Sequence, residues 1–298
     1  MLKTRKKTSK LKLKLKLKRS PATTNRGSEA VPATVAQACR DVLLAAEPQA
    51  KVKAARAAAR AWRRGALAHD FDAAMPERPA RPGRPFLLPP SLMPRRKRAG
   101  SERSRIAMLH ALAHIEFGAI DLAFDMAGRF GADFPRAFAG DWISVGADEA
   151  MHFALLDRRL KTLGSEYGAL PAHDGLWEAA AATAHDPLAR LAVVPMVLEA
   201  RGLDVTPAIV AGFERAGDAR SAAILSRIYR DEIRHVAIGT SWFKSGCESR
   251  GFAPVPHWQN LIRTHFRGTV KPPFNDSARD EAGLSRDFYT GVAGVELV

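Results

Sequence analysis

The chain has 298 residues, 46% hydrophobic and 7% aromatic, enough to bury a sizeable core in one main domain with attachments. Its net charge of +15 is unevenly spread: residues 1–28 hold eight Lys, three Arg and no acid, and subtracting that +11 leaves only +4 for residues 29–298, no argument for nucleic acid. Cys39 and Cys247 are too few and too far apart for a disulfide scaffold, a zinc knuckle or an iron–sulfur cluster, which fits a reducing cytoplasm, and no apolar run has the length of a membrane span or the form of a secretory signal.

Residues 1–28 read as a basic disordered tail whose Leu11–Lys18 tract alternates Leu and Lys with a period of two. Sharper readings are an arm that contacts RNA or DNA phosphates, a contact with an anionic lipid surface, a targeting peptide, or a start placed too far upstream. Residues 29–75 form an N-terminal helical segment, with two helices separated near Glu47-Pro48. Residues 76–100 are a Pro/Arg-rich strap: seven prolines from Pro76 to Pro94 prohibit regular helix, and Arg95, Arg96, Lys97, Arg98, Arg103 and Arg105 read as a solvated basic cluster, or else as a site for an anionic substrate or partner.

Residues 101–250 carry four core helices. The first runs from Ser101 to Phe130 and the second from about Pro135 to Leu163, with Gly164 as its C-cap. A connection over residues 164–186 is long enough to cross from one end of a bundle to the other. The third helix starts at Asp186-Pro187, kinks at Pro195 and stops after Gly202, with a short helix restarting at Asp204-Val205-Thr206-Pro207. The fourth spans about Asp218 to Ser249, and residues 251–298 form an irregular C-terminal wrap with a little helix, covering one mouth of the bundle.

The chemistry lies in a repeat. Asp148-Glu149-Ala150-Met151-His152 recurs 83 residues later as Asp231-Glu232-Ile233-Arg234-His235, and a lone glutamate stands 33 residues before each motif Glu, Glu116 in one case and Glu199 in the other. Residues three apart share a helix face, so each Glu and its His can point at one ion. A single Glu-x-x-His is more often a surface pair. Two copies at equal spacing, all six side chains in apolar stripes, argue for a buried centre of two cations held by Glu116, Glu149, His152, Glu199, Glu232 and His235. Hard oxygen ligands with one imidazole per metal favour iron, with manganese as the alternative. The 83-residue offset also matches Ile120-Asp121 to Leu203-Asp204 and Val145 to Ile228, as a duplicated helical hairpin requires. His110 and His114 fall on other faces than Glu116 and read as packing or surface residues. Trp142 reads as core, Tyr229 as a core tyrosine or a proton relay one turn from Glu232, and Gly239 as a place where space opens beside the centre. No zinc-protease motif, deaminase motif, phosphate-cradling loop or Cys-x-x-Cys pair is present.

A Glu followed about thirty residues later by Asp-Glu-x-Arg-His, twice, resembles the ferritin-like di-iron carboxylate proteins; the second copy matches fully and the first has Met151 in place of the Arg. His114-Ile115-Glu116, Asp141-Trp142, Tyr167 to Trp177, Leu198 to Asp204 and Pro273-Phe274-Asn275 to Gly283 look like an uncharacterised bacterial ferritin-like family over roughly residues 35–290. The resemblance implies an all-α, ferritin-like four-helix bundle with a long crossover between core helices 2 and 3. It implies Glu149 and Glu232 as bridges, and a second shell in which Asp148 serves His235 and Asp231 serves His152, with Arg234 beside them. The expected activity is an O2-activating oxidoreductase, a hydroxylase or oxidase, with two iron ions, an unknown small-molecule substrate and an electron donor. Alternatives are iron or peroxide handling without an organic substrate, and a tRNA-modifying hydroxylase or RNA-binding protein that uses the basic tail; a homodimer is compatible with all of them.

Overall fold

The computed structural model describes residues 34–93 and 100–294, together with the backbone of residues 296–297. The basic tail and the Arg95–Arg98 cluster lie outside the described residues. The chain is all-α, with about 70% helix and almost no strand.

Helix boundaries follow local chemistry. Thr34 caps α1 (Val35–Leu44) by accepting from the Gln37 amide, and Pro48 opens α2 (Pro48–Arg63) where its missing N–H costs nothing. Ser101 caps α3 (Glu102–Phe130) by accepting from the Ser104 amide at 3.2 Å. After α4 (Arg136–Thr162) the chain turns at Gly164, whose φ of +69° is open to glycine at no steric cost. These four helices lie where the sequence predicts them, to within a few residues.

The crossover contains one further helix, α5 (Gly175–Ala182), which packs on α3 and buries Trp177 against Leu122 and Val194. Then α6 (Pro187–Val193), capped by Asp186, runs into a π-helical segment, Val194–Glu199, and on into α7 (Ala200–Arg215). The irregularity expected at Pro195 is therefore a widened turn: proline cannot donate to the carbonyl four residues back, and the helix passes to longer-range bonding. The expected stop after Gly202 and restart at Pro207 are not formed, because α7 continues through both. Pro207 has no amide for the Leu203 carbonyl, and the Asn275 side-chain amide donates to that oxygen instead, at 3.1 Å. With the lost bond replaced from outside, the helix has no reason to break.

Capped by Asp218, α8 (Ala219–Glu248) runs as predicted. The C-terminal region is more regular than expected: Pro254 and Pro256 lie in the first turn of α9 (Pro254–His265), where proline is tolerated, followed by β1 (Gly268–Thr269), α10 (Asp276–Glu281), α11 (Arg286–Thr290) and β2 (Glu296–Leu297), which pairs antiparallel with β1.

Helices α3 and α4 lie along each other, as do α7 and α8, and α4 meets α8. The N-terminal helices cover this core from one side, α1 on α3 and α2 on α4, while α9 packs on α6 and α8. One apolar core runs throughout, with Phe117, Phe124, Trp142, Phe153, Leu191 and Phe243 among its buried members. By length and a mean hydropathy of 1.4 over 18 of its residues, α3 alone among the described helices could cross a membrane, which the lack of an unbroken apolar run did not anticipate; 67% of those 18 residues are buried inside the protein, and the helix carries Glu116, Asp121 and Asp125.

Buried carboxylates fasten the peripheral segments. Asp121 of α3 is fully buried between Lys51 of α2 and Arg81 of the strap. Asp204 of α7 holds Arg279 of α10 through two bonds of 2.8 and 2.7 Å and receives the Asn275 amide at 2.9 Å. These two acids are the pair related by the 83-residue offset.

Gly239 of α8 is not an opening: the Pro195 ring fills the space, and a Cβ there would run into it. Leu156 is its counterpart in the other half. Gly239→Leu is expected to cost about 3 kcal/mol by overpacking, read as a lower midpoint in urea with an unchanged slope.

Candidate metal centre

The two motif helices each turn a Glu and a His inward together: α4 presents Glu149 and His152, α8 presents Glu232 and His235. Glu116 comes from the middle of α3 and Glu199 closes the π-helical segment. π-segments inside longer helices recur at functional sites, and this one ends on a predicted ligand.

The side chains converge. His152 Nδ1 lies 3.2 Å from Glu116 Oε2, 3.2 Å from Glu149 Oε2 and 3.9 Å from Glu232 Oε1. His235 Nδ1 lies 2.9 Å from Glu149 Oε1 and 3.5 Å from Glu232 Oε1. Glu149 thus sits between the two rings, whose centroids are 5.8 Å apart. One ligand atom from each of Glu116, Glu149, His152 and Glu232 falls within 4.8 Å of the others. Glu199 and His235 stand around this tightest group, and Glu199 feels the charges of Glu232 and Glu149.

Burial governs the electrostatics. It pushes the Glu116, Glu199 and Glu232 carboxyls above their ordinary range, and the neighbouring carboxylates push the same way. Burial also raises Glu149, but His235 and His152 together outweigh it and hold that carboxyl below its usual value. Burial disfavours the His152 imidazolium, yet its bonds to Glu116 and Glu149 carry it up to about 11, and Glu149 and Glu232 raise His235 well above normal against the same penalty. Without cations, protons therefore balance the charge of four clustered carboxylates. Two divalent ions would balance it as well, displacing those protons.

The donor set fits such ions. Glu149 Oε1, Glu199 Oε2 and both ring nitrogens of His235 are buried without a hydrogen-bond partner, and the 2.9 Å approach of His235 Nδ1 to Glu149 is off hydrogen-bond geometry. Each such atom costs about 1–3 kcal/mol unless something satisfies it. Carboxylate oxygens with one imidazole per position suit iron or manganese.

Of the two outer-shell bonds implied by resemblance, one forms. His152 Nε2 donates to Asp231 Oδ2 at 3.0 Å, whereas Asp148 Oδ2 stands 3.6 Å from His235 Nε2 and is held instead by the Arg234 guanidinium.

Neighbouring residues divide as residue type and spacing predict. Trp142 is buried core. The Tyr229 hydroxyl accepts from the Asn275 side chain at 3.0 Å and anchors the tail. His114 bonds the Tyr167 hydroxyl at 2.9 Å and donates to the His173 carbonyl at 3.1 Å, so it is a packing residue. Tyr167 was not singled out by chemistry; it comes from an irregular crossover and packs on Phe117 and Phe153, the residues next to Glu116 and His152. No periodicity marks a loop residue, so its role needed the fold.

His110 provides a pH test away from the ligands. Its Nε2 accepts from the Gly168 amide at 2.9 Å, and burial lowers its pKa to about 4. The unfolded ring protonates near 6.5. Stability from this group is therefore full above about 6.5 and is lost as pH falls toward 4, where the unfolded chain binds the extra proton. His110→Gln, which keeps an acceptor but does not titrate, should flatten the fall in urea midpoint between pH 6.5 and 4.

Comparison with known proteins bears on most of the chain. The profile of a family described as "Protein of unknown function (DUF455)" matches residues 44–290. An uncharacterized protein of Haemophilus influenzae is 41% identical over 221 residues, which cover 72% of this chain and 76% of that protein. No solved structure matches. The match spans both hairpins and every proposed ligand: the chain belongs to the family described as protein of unknown function (DUF455).

Proposed function

We propose that α3, α4, the α6–α7 helix and α8 form a ferritin-like four-helix bundle around a carboxylate-bridged two-iron centre, and that the protein is an O2-dependent oxidoreductase acting on an organic substrate. The observation that carries this reading is the gathering of Glu116, Glu149, His152 and Glu232 within 4.8 Å of one another, with His235 Nδ1 2.9 Å from Glu149 Oε1 and buried, unpartnered polar atoms on Glu149, Glu199 and His235. Glu116, Glu149 and His152 would hold one ion, Glu199, Glu232 and His235 the other, with Glu149 and Glu232 shared. Two ferrous ions held there would supply two of the four electrons that O2 takes up, the organic substrate the other two, and an external electron donor would restore the ferrous state.

The chain's own part is positioning and exclusion of water. Asp231 fixes the direction and tautomer of the His152 ring. Phe117 and Phe153 pack behind the α3 and α4 ligands, their ring centroids 5.2 Å apart, and shut out solvent on that side. The Glu232 side chain, 13% exposed, and Glu199 are less deeply buried than Glu149, 1% exposed, so the approach for small molecules would lie on the α7–α8 side.

The test is elemental analysis of protein purified anaerobically, followed by a single exposure to O2 with O2 consumption recorded. About two irons per chain and stoichiometric O2 uptake are expected from the native sequence, and neither from Glu232→Ala. Native protein that stays metal-free, or a Glu232→Ala variant that keeps two irons and the same O2 uptake, rules the reading out.

A further inference from the structure

We infer that the two cation positions are inequivalent, and that Arg234 is a positioning residue that weakens the His235 position by holding Asp148 away from it. The inference rests on the metal-centre reading above and concerns the order in which its two halves load.

The two motifs share their Asp, Glu and His, and the one pair between them that differs in charge is Met151 of the first opposite Arg234 of the second. Each motif Asp is carried toward the histidine of the other helix. Asp231 completes the approach and accepts from His152 Nε2 at 3.0 Å. Asp148 does not. Its Oδ2, the oxygen nearest His235, is the same atom that Arg234 Nη2 grips, and it remains 3.6 Å from His235 Nε2. His235 is left fully buried with neither nitrogen hydrogen-bonded. Met151 has no charge with which to compete for Asp231, and the nearest cation to that carboxylate, Arg227, stands 3.6 Å away.

An acceptor on the outer nitrogen of a ligating histidine fixes the ring and its tautomer before the ion arrives and makes the inner nitrogen a better donor. His152 has that support and His235 lacks it. The tightest gathering of ligand atoms, Glu116, Glu149, His152 and Glu232, surrounds the supported ring. The first cation therefore enters the His152 half. The second enters the His235 half more weakly, and Glu199 reaches toward it from the π-segment.

Arg234 is 46% exposed, so its replacement leaves the core intact and the consequence can be read on binding alone. The experiment titrates metal-free, full-length protein anaerobically with Fe(II), and in parallel with Co(II), whose absorption reports the ligand field. Wild type is expected to bind two equivalents in two resolved steps. Repulsion between two cations also separates such steps, so the variants decide. Arg234→Met releases Asp148 to His235 and should tighten the second step by roughly tenfold while leaving the first unchanged; Arg234→Lys, which keeps a cation beside Asp148, should leave it weak. His235→Ala should retain one equivalent at full affinity, and His152→Ala should lose the tight one. A second step that Arg234→Met leaves unchanged or weakens overturns the inference, as does loss of the tight equivalent in His235→Ala. A wild-type chain that takes up neither metal overturns the metal-centre reading itself, a result distinct from two equivalents bound without the predicted response to Arg234.

Discussion

Glu149→Ala is expected to abolish cation uptake at both positions in one substitution. Its carboxylate stands between the rings, with Oε2 at 3.2 Å from His152 Nδ1 and Oε1 at 2.9 Å from His235 Nδ1, so neither half keeps its ligands without it. A ligand that binds only the folded state stabilises it by about 4 kcal/mol at a free concentration a thousand times Kd. Added Mn(II) or anaerobic Fe(II) should therefore raise the melting temperature of the native chain and not that of Glu149→Ala. The variant should still fold, because Glu116 remains 3.2 Å from His152 Nδ1 and Glu232 3.5 Å from His235 Nδ1, so neither imidazole is left without a carboxylate. Two ions retained by Glu149→Ala, or a cation-induced rise equal to that of the native chain, would exclude it as the bridge.

Asp121→Ala is expected to produce the largest loss of stability outside the centre. Lys51 is fully buried; its ammonium bonds Asp121 and also the Val42 carbonyl at 3.0 Å and the Leu43 carbonyl at 3.4 Å, closing the end of α1. Arg81 reaches the other carboxylate oxygen from the strap. Removing the shared acid leaves the buried Lys51 ammonium without a carboxylate, for which the cost is about 3–5 kcal/mol, while Arg81 keeps Asp174 at 3.6 Å. That corresponds to a fall in melting temperature on the order of 10 °C for a chain of this size. Lys51 resists ionisation through burial, so Asp121→Ala should recover part of its stability when Lys51→Met is added. Equal stability in the single variant and the native chain would show that the cluster contributes nothing.

The fold was legible where periodicity and caps act locally. Ser101, Asp186 and Asp218 mark helix starts, Gly164 a stop, and the four core helices follow from them. The clustering of Glu116, Glu149, His152 and Glu232 was legible because carboxylates in apolar stripes need a reason, and the equal spacing of two copies supplied one. Errors arose where distant residues overrule local rules. Pro207 reads as a helix boundary until Asn275, far along the chain, supplies the missing donor. Pro254 and Pro256 read as breakers until they occupy a first turn. Gly239 reads as space until Pro195 fills it. The failure of Asp148 to reach His235 depends on a competition with Arg234 for one oxygen, and residue identities alone do not rank two partners.

The fastening of the two offset-related acids differs in time. When Asp121 leaves the ribosome, Lys51 and Arg81 have already been made, and the first hairpin can close on its belt at once. Asp204 waits for Asn275, 71 residues later, which at about 5–20 residues per second is a delay of roughly 4–14 s. Through that interval the second hairpin carries an acid paired only with Arg201, at 3.3 Å, and, at Leu203, a carbonyl without its donor. The half that contains Glu199, Glu232 and His235 is thus secured later than the half that contains Glu116, Glu149 and His152.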